Sequence, residues 1–287
     1  VSRVVLSNAD KLMFPQARFT KGQLVGYYDA VAPVLLPHLR GRAITMARFP
    51  DGVESPGWFQ MNCRGHPPWM QTVEIVGKRG QRLRYCLVED RDALLWMINL
   101  GTIELHPFLA AAARPDAPLA LVFDLDPGPD ADALAAARTA LWVRERLRAR
   151  GLVSLVKSSG KKGLHVYVPL DGAARYAETR ALARHLAGEL TAAHPDAITD
   201  RLARDQRHGR VLIDWRQNAA GLSTVAPYSL RALPWPTVSA PLDWREVEEA
   251  TDARALSFGP NEVVARVARS GDLFAPLLDG GQPLPPL

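Results

Sequence analysis

Cysteine is nearly absent: Cys63 and Cys86 are the only two in 287 residues. Two thiols without a CxxC pair exclude a disulfide-built scaffold, and they read as ordinary thiols of a reducing cytoplasm. Cys63-x-x-His66 has a metal-like spacing but no second matching pair, which argues against a zinc module. Long apolar runs are missing too. No stretch of about 18 apolar residues and no early apolar segment of the secretory type occurs, so neither membrane spanning nor export is indicated. No internal repeat stands out. A strong charge imbalance is also lacking, since Lys plus Arg outnumber Asp plus Glu by 35 to 30, for a net charge of +5. That surplus permits a polyanionic partner without demanding one.

What is present is a core-forming chain. Hydrophobic residues make up 47% of it and Trp occurs seven times, which excludes general disorder and supplies a large core. The positive charge is unevenly spread. Lys11, Arg18, Lys21, Arg40, Arg42 and Arg48 face only Asp10 and Asp29 in the first fifty residues, so the N-terminal sixth reads as a basic arm.

The most informative stretch is Leu119-Ala-Leu-Val-Phe-Asp-Leu-Asp-Pro-Gly128. In an extended strand alternate side chains share a face, so Asp124 and Asp126 lie on one face roughly 6.5 Å apart while Leu125 points the other way. Two acids on one face can share a cation, and a strand end with two solvated acids is the plainer alternative. Pro127-Gly128 stops the strand. A second acid-ended strand, Val211-Leu-Ile-Asp214, could supply the third carboxylate that two bridged divalent cations need. Between them, Ser158-Ser-Gly-Lys-Lys-Gly163 joins two β-prone runs. Its glycines let backbone amides approach an anion, its hydroxyls add donors and its lysines neutralise charge. It is no Walker A loop, because the GxxxxGK[ST] order is absent and a strand follows. A polar hairpin is the alternative.

Around these motifs, Ala43–Phe49, Gly57–Gln60, Thr72–Val76 and Leu83–Val88 read as an antiparallel cluster. Of Trp58 and Phe59, one is expected to face inward and the other to be free to stack on a base. Thr20 and Asp90 read as helix N-caps, and Asp130–Arg150 and Tyr176–His194 as long helices. Ile103-Glu-Leu-His106 reads as a brief strand with Glu104 and His106 on one face. Lys11 and Lys21 read as solvated lysines or as a clamp on a phosphate.

Asp124-Leu-Asp126, Ser159-Gly-Lys-Lys-Gly-Leu-His165 and Leu212-Ile-Asp-Trp215 stand in the order of the archaeo-eukaryotic primase superfamily, and within it the chain resembles the polymerase domains of bacterial LigD-type end-joining ligases. Leu36-Pro-His-Leu39, Glu104-Leu-His106, Asp205-Gln-Arg-His208, Asp214-Trp-Arg-Gln-Asn218 and Ala226-Pro-Tyr-Ser-Leu-Arg231 add to the likeness, which runs from about Asn8 to about Leu273. The resemblance implies an α+β, primase-like fold with two β-sheets facing across a catalytic cleft. It implies one catalytic domain over 1–279, including the basic end-binding arm over 1–50, with 280–287 as a tail or linker stub. Asp124, Asp126 and Asp214 would hold two ions, Mn2+ or Mg2+. Ser159, Lys162, His165 and Arg231 would serve the nucleoside triphosphate, with Arg207, Gln217 and His106 near it or its metal. Phe59 would stack on the incoming base, and Lys11 with Lys21 would grip a DNA 5′-phosphate. The implied activity is templated addition of nucleotides, preferably ribonucleotides, at gaps and double-strand breaks. DNA, a Ku-like end-binding protein and a DNA ligase are the implied partners of a monomeric, cytoplasmic, nucleoid-associated chain. Ala47 and Met61 stand where lysines are common in the family, and Lys161 stands for a serine. A DNA-end binding module with little polymerase activity is therefore the alternative, and a DxD phosphatase of the haloacid dehalogenase type a further one. The phosphatase pattern wants Thr or Val where Gly128 stands and a late pair of acids where Asp214 stands alone.

Overall fold

The computed structural model describes residues 3–77 and 80–287, so the first two residues of the basic arm lie outside the described part. In chain order the elements begin with β1 (Leu12–Phe14), β2 (Phe19–Thr20), α1 (Lys21–Leu39), β3 (Ala43–Arg48), β4 (Trp58–Gln60), β5 (Thr72–Val76), β6 (Arg82–Leu87), α2 (Arg91–Asn99) and β7 (Thr102–Pro107). They continue with β8 (Ala120–Pro127), α3 (Ala133–Arg148), β9 (Leu155–Ser158), β10 (Leu164–Pro169), α4 (Tyr176–Ala193), β11 (Ile198–Thr199) and β12 (Val211–Asp214). The last are β13 (Leu230–Arg231), β14 (Thr237–Val238), β15 (Pro241–Leu242), α5 (Trp244–Glu248) and α6 (Pro260–Ser270). The α+β expectation holds. Contacts divide the chain into two compact units, each assembled from three separate stretches.

The first unit takes Val1–Ala113, Ser223–Ser239 and Gly259–Asp272. Its sheet has the order β4-β3-β6-β5, with β7 against the other side of β3, all antiparallel. The expected cluster is therefore present, and β3 lies inside it, buried from Ala43 to Ala47. Helix α1 starts where Thr20 and Gln23 close a capping box, satisfying two amides that a helix start leaves open. Its Leu24, Tyr28, Val31 and Leu35 are fully buried at helical spacing. Tyr28 Oη donates to Ile103 O at 2.5 Å, which ties the helix to β7.

Two expectations fail in this unit. Trp58 and Phe59 are both exposed, at 48% and 64%, because β4 is a three-residue edge strand with β3 as its one neighbour among the described residues. Cys63 and Cys86 are joined as a disulfide. The Cys63 amide donates to Arg84 O at 2.6 Å, which lays the segment after β4 along β6 and brings the two Cα atoms to 5.1 Å, within bridging range.

The second unit takes Arg114–Leu222, Ala240–Phe258 and Leu273–Leu287. Its sheet has the order β11-β12-β8-β10-β9-β15, so the DxD strand β8 sits between two antiparallel neighbours. Leu121, Phe123 and Leu125 on one face of β8 are fully buried. The other face grades outward, from buried Val122 through half-buried Asp124 to exposed Asp126. Helices α3 and α4 pack on this sheet, and Asp132 caps α3 through the amides of Leu134 and Ala135. Residues 280–287 are not bare: Gln282 bridges to Leu170 and bonds Val153 through its side chain.

Candidate active site

The carboxylates are positioned by strand register. Asp214 of β12 lies directly opposite Asp124 of β8, and His165 of β10 lies opposite Asp124 on its other side. Because directly opposed side chains share a face, Asp214, Asp124 and His165 form a row across three strands, continued by Lys157 on β9. His165 Nε2 is 3.3 Å from Asp124 Oδ1. Burial, with the neighbouring Asp124 charge adding to it, raises the Asp214 carboxyl above its ordinary value against the opposing bond from the Arg216 amide. Asp126, two residues along the same face, is turned to Arg207, whose guanidinium holds both its carboxylate and its carbonyl.

The chain just after Asp214 locks this arrangement. Asp214 Oδ1 accepts from the Arg216 amide at 3.0 Å, starting the 3-10 turn Trp215–Gln217. Fully buried Asn218 then accepts from Val122 N at 2.9 Å and donates to Val122 O at 2.7 Å, standing in for a strand neighbour beside the DxD. Its role was not legible from the sequence, although it closes the Asp214-Trp-Arg-Gln-Asn218 run. Gln217 lies in the turn itself.

The Ser159 loop approaches the same strand. Ser159 Oγ accepts from the amides of Lys161 and Gly163 at 3.2 and 3.1 Å, and Ser159 N donates to Gly163 O at 2.8 Å. Gly163 passes so close to β8 that a Cβ there would sit 2.4 Å from Leu125 O. Lys162 Nζ reaches back to Gly128 O at 2.7 Å. The Lys161 side chain is exposed.

In the first unit a second group assembles around Glu104. Its carboxylate is 2.8 Å from His106 Nε2 and 3.1 Å from Arg231 Nε, and it accepts from the Ala232 amide at 2.9 Å. Phe59 stands edge-on to His106 with centroids 5.4 Å apart. Ala47 of β3 is in register with Phe59 on one side and Glu104 on the other, so a lysine there would lie between an aromatic ring and a carboxylate.

Burial would raise the Glu104 carboxyl, but the His106 hydrogen bond, the charges of Arg231 and His106 and the Ala232 amide outweigh it, lowering it from 4.5 to about 2. A carboxylate depressed on folding lends stability that is complete above its unfolded value and is lost as pH falls toward its folded one. The protein is therefore expected to lose on the order of 3 kcal/mol through this group as pH drops from about 4.5 to about 2. Urea unfolding of Glu104→Gln over that range should show a flatter acid limb than the parent; superimposable limbs would contradict the assignment.

Lys11 and Lys21 meet through the Lys21 amide, which donates to Lys11 O at 2.8 Å. Lys21 is 6% exposed, so it is no solvated surface lysine. Burial first, and the Lys11 charge second, lower its ammonium below the ordinary value. Lys11 Nζ pairs with exposed Asp51 at 2.6 Å, and Lys21 Nζ donates to Ser7 Oγ at 3.1 Å.

Residues 20–274 match the family described as LigD, primase-polymerase domain. The chain belongs to the LigD primase-polymerase family. It is 37% identical over 281 residues to the multifunctional non-homologous end joining DNA repair protein LigD of Mycobacterium tuberculosis, covering 95% of this chain and 36% of that protein. It is 32% identical over 274 residues to the bifunctional non-homologous end joining protein LigD of Bacillus subtilis, covering 95% of this chain and 44% of that one. The solved polymerase domain from Mycobacterium tuberculosis Ligase D in complex with DNA matches with a TM-score of 0.90 and 33% identity, over 98% of this chain and 100% of that one. The chain thus spans less than half the length of these curated LigD relatives.

Membership makes the chain a nucleotidyltransferase of the primase-polymerase type, with a nucleotide substrate and a divalent cation. The donor set fits such a cation: two adjacent carboxylates, hard oxygen ligands, stand half-buried on one face. No trio of His, Cys, Asp or Glu closes a cage among the described residues, and Asp126 is held by Arg207. That open arrangement suits a cation bound by one or two carboxylates and completed by substrate phosphate oxygens. No described helix is long and apolar enough to cross a membrane.

Proposed function

We propose that the chain adds nucleotides, ribonucleotides by preference, to 3′ ends at DNA gaps and double-strand breaks during end joining. The observation that carries this reading is the Asp214–Asp124–His165 row beside the Ser159 loop. Asp124 and Asp214, joined by Asp126 once it leaves Arg207, hold two divalent ions, with Mn2+ favoured over Mg2+. When bound, the ions lower the pKa of the primer 3′-hydroxyl and neutralise charge on the triphosphate.

The side chains divide the remaining work. Ser159 and Lys162 take phosphate oxygens, and Arg207, released from Asp126, joins them. Asp124 orients His165, and His165 serves the nucleotide together with Gln217 in the turn after Asp214. Within the first unit Glu104 fixes His106 and Arg231, which serve a nucleotide. Exposed Phe59 stacks on a base, an interaction worth about 1–3 kcal/mol. Lys11 and Lys21 bind the 5′-phosphate of a DNA end, whose negative charge offsets both the burial and, after it, the Lys11 charge that lower the Lys21 ammonium. A Ku-like protein and a DNA ligase, whether on the same chain or not, are the proposed partners of this catalytic domain.

The test is a 5′-phosphorylated gapped duplex offered with manganese and labelled ribo- or deoxynucleoside triphosphates. Extension, faster with ribonucleotides, is the expected result. Binding without extension would leave an end-binding module, and phosphate release alone a phosphatase.

A further inference from the structure

Trp215 follows Asp214 directly and is 8% exposed. Three guanidinium groups surround its indole: Arg216 at 4.4 Å, Arg180 at 5.2 Å and Arg184 at 5.6 Å from the ring centre. Arg180 and Arg184 are exposed on α4. They stand four residues apart, where side chains on one helix face are neighbours and like charges repel. The residues three and four positions from each, apart from the other arginine, are Tyr176, Ala177, Ala181, Ala183, Ala187 and Gly188, so the helix supplies no acid to offset them. Neither arginine makes an ion pair among the described residues. Arg216 has one, with Asp214 at 3.6 Å, the carboxylate already assigned to a cation. Trp215 Nε1 is buried without a hydrogen-bond partner among the described residues.

Stacking on an aromatic face accounts for one or two guanidinium groups. It does not account for three cations gathered on one ring with so little negative charge beside them. An anion relieves that repulsion, and planar guanidinium forks suit phosphate oxygens. The position narrows the source. The cluster begins one residue beyond a carboxylate of the row and spreads onto the exposed side of α4, away from the Ser159 loop in sequence and in sheet order. We propose that Arg180, Arg184 and Arg216 around Trp215 bind the phosphodiester backbone of a nucleic-acid strand. This rests on the polymerase reading above, and its test separates the two.

The measurement is equilibrium binding of the full chain to a 5′-phosphorylated gapped duplex without nucleotide, at several salt concentrations. Each phosphate contact contributes about 0.9 to the slope of log affinity against log salt. Arg180→Gln with Arg184→Gln is expected to reduce that slope by about one to two units, with no change in the nucleotide KM at saturating DNA. Both positions are exposed, so the thermal midpoint should stay at the parent value. Arg180→Lys with Arg184→Lys, which keeps both charges, should keep the slope. An unchanged slope in the Gln variant overturns the proposal. A raised nucleotide KM with an unchanged slope assigns the cluster to a triphosphate and overturns it too, and so does a Lys variant that loses as much slope as the Gln variant. If the parent chain itself neither binds nor extends the duplex, it is the polymerase reading that fails.

Discussion

Asp124→Asn combined with Asp214→Asn is expected to abolish nucleotide addition, by about a thousandfold or more, while binding to 5′-phosphorylated DNA ends stays close to the parent's. A cation in a phosphoryl-transfer site is worth several kcal/mol of charge stabilisation, and each 1.36 kcal/mol is about a tenfold rate. The double variant keeps the shape of both side chains and removes the charge proposed to hold the cation. It should also leave the fold intact or firmer. The two acids are directly opposed across β8 and β12, where like charges destabilise a strand pair, and Asn at 214 can still accept from the Arg216 amide as Asp214 does. Single-turnover extension and thermal unfolding on one preparation check both halves. Extension at the parent rate would remove these residues from the active site.

Gly163→Ala is the second large effect, and it acts through packing. The new Cβ would meet Leu125 O at 2.4 Å, a backbone atom in the middle of the sheet that cannot swing aside as a side chain would. The loop must lift from β8, breaking the Ser159–Gly163 bonds that shape it. A loss of about 1–3 kcal/mol is expected, together with a raised nucleotide KM, since Ser159 and Lys162 move with the loop. Gly188→Ala in α4, where nothing lies within 4 Å of the added Cβ, is the control and should stabilise by about 0.5–1 kcal/mol. Urea midpoints of the two variants should therefore move in opposite directions. A Gly163→Ala midpoint equal to the parent's would show that the loop does not need the close approach.

The parts of this site that were legible in the sequence are those written in local pattern. Alternation within β8 places Asp124 and Asp126 on one face, the capping residues mark α1 and α2, and the density of Ser, Gly and Lys marks the loop over β9–β10. What could not be read is register between distant strands. Nothing local to Asp214 says that it faces Asp124 rather than Asp126, and nothing near Glu104 announces Arg231 and Ala232, which a separate stretch of chain brings to it. Burial misled in both directions: Lys21 is buried although lysine favours solvent, and Trp58 and Phe59 are both exposed because an edge strand has little to cover it. The cysteine pairing is not legible because spacing in sequence says little about two segments laid side by side by one backbone hydrogen bond.

The carboxylates of β8 and β12 are proposed above to hold the catalytic cation. Anomalous diffraction at the manganese edge, from crystals of this chain grown with Mn2+ and a non-hydrolysable nucleoside triphosphate, tests this directly. The expected result is manganese bonded to oxygens of Asp124 and Asp214 and to phosphate oxygens of the nucleotide, with Asp126 turned away from Arg207 toward the metal. Ordered nucleotide with no manganese at these carboxylates, or manganese bound only elsewhere, would contradict it.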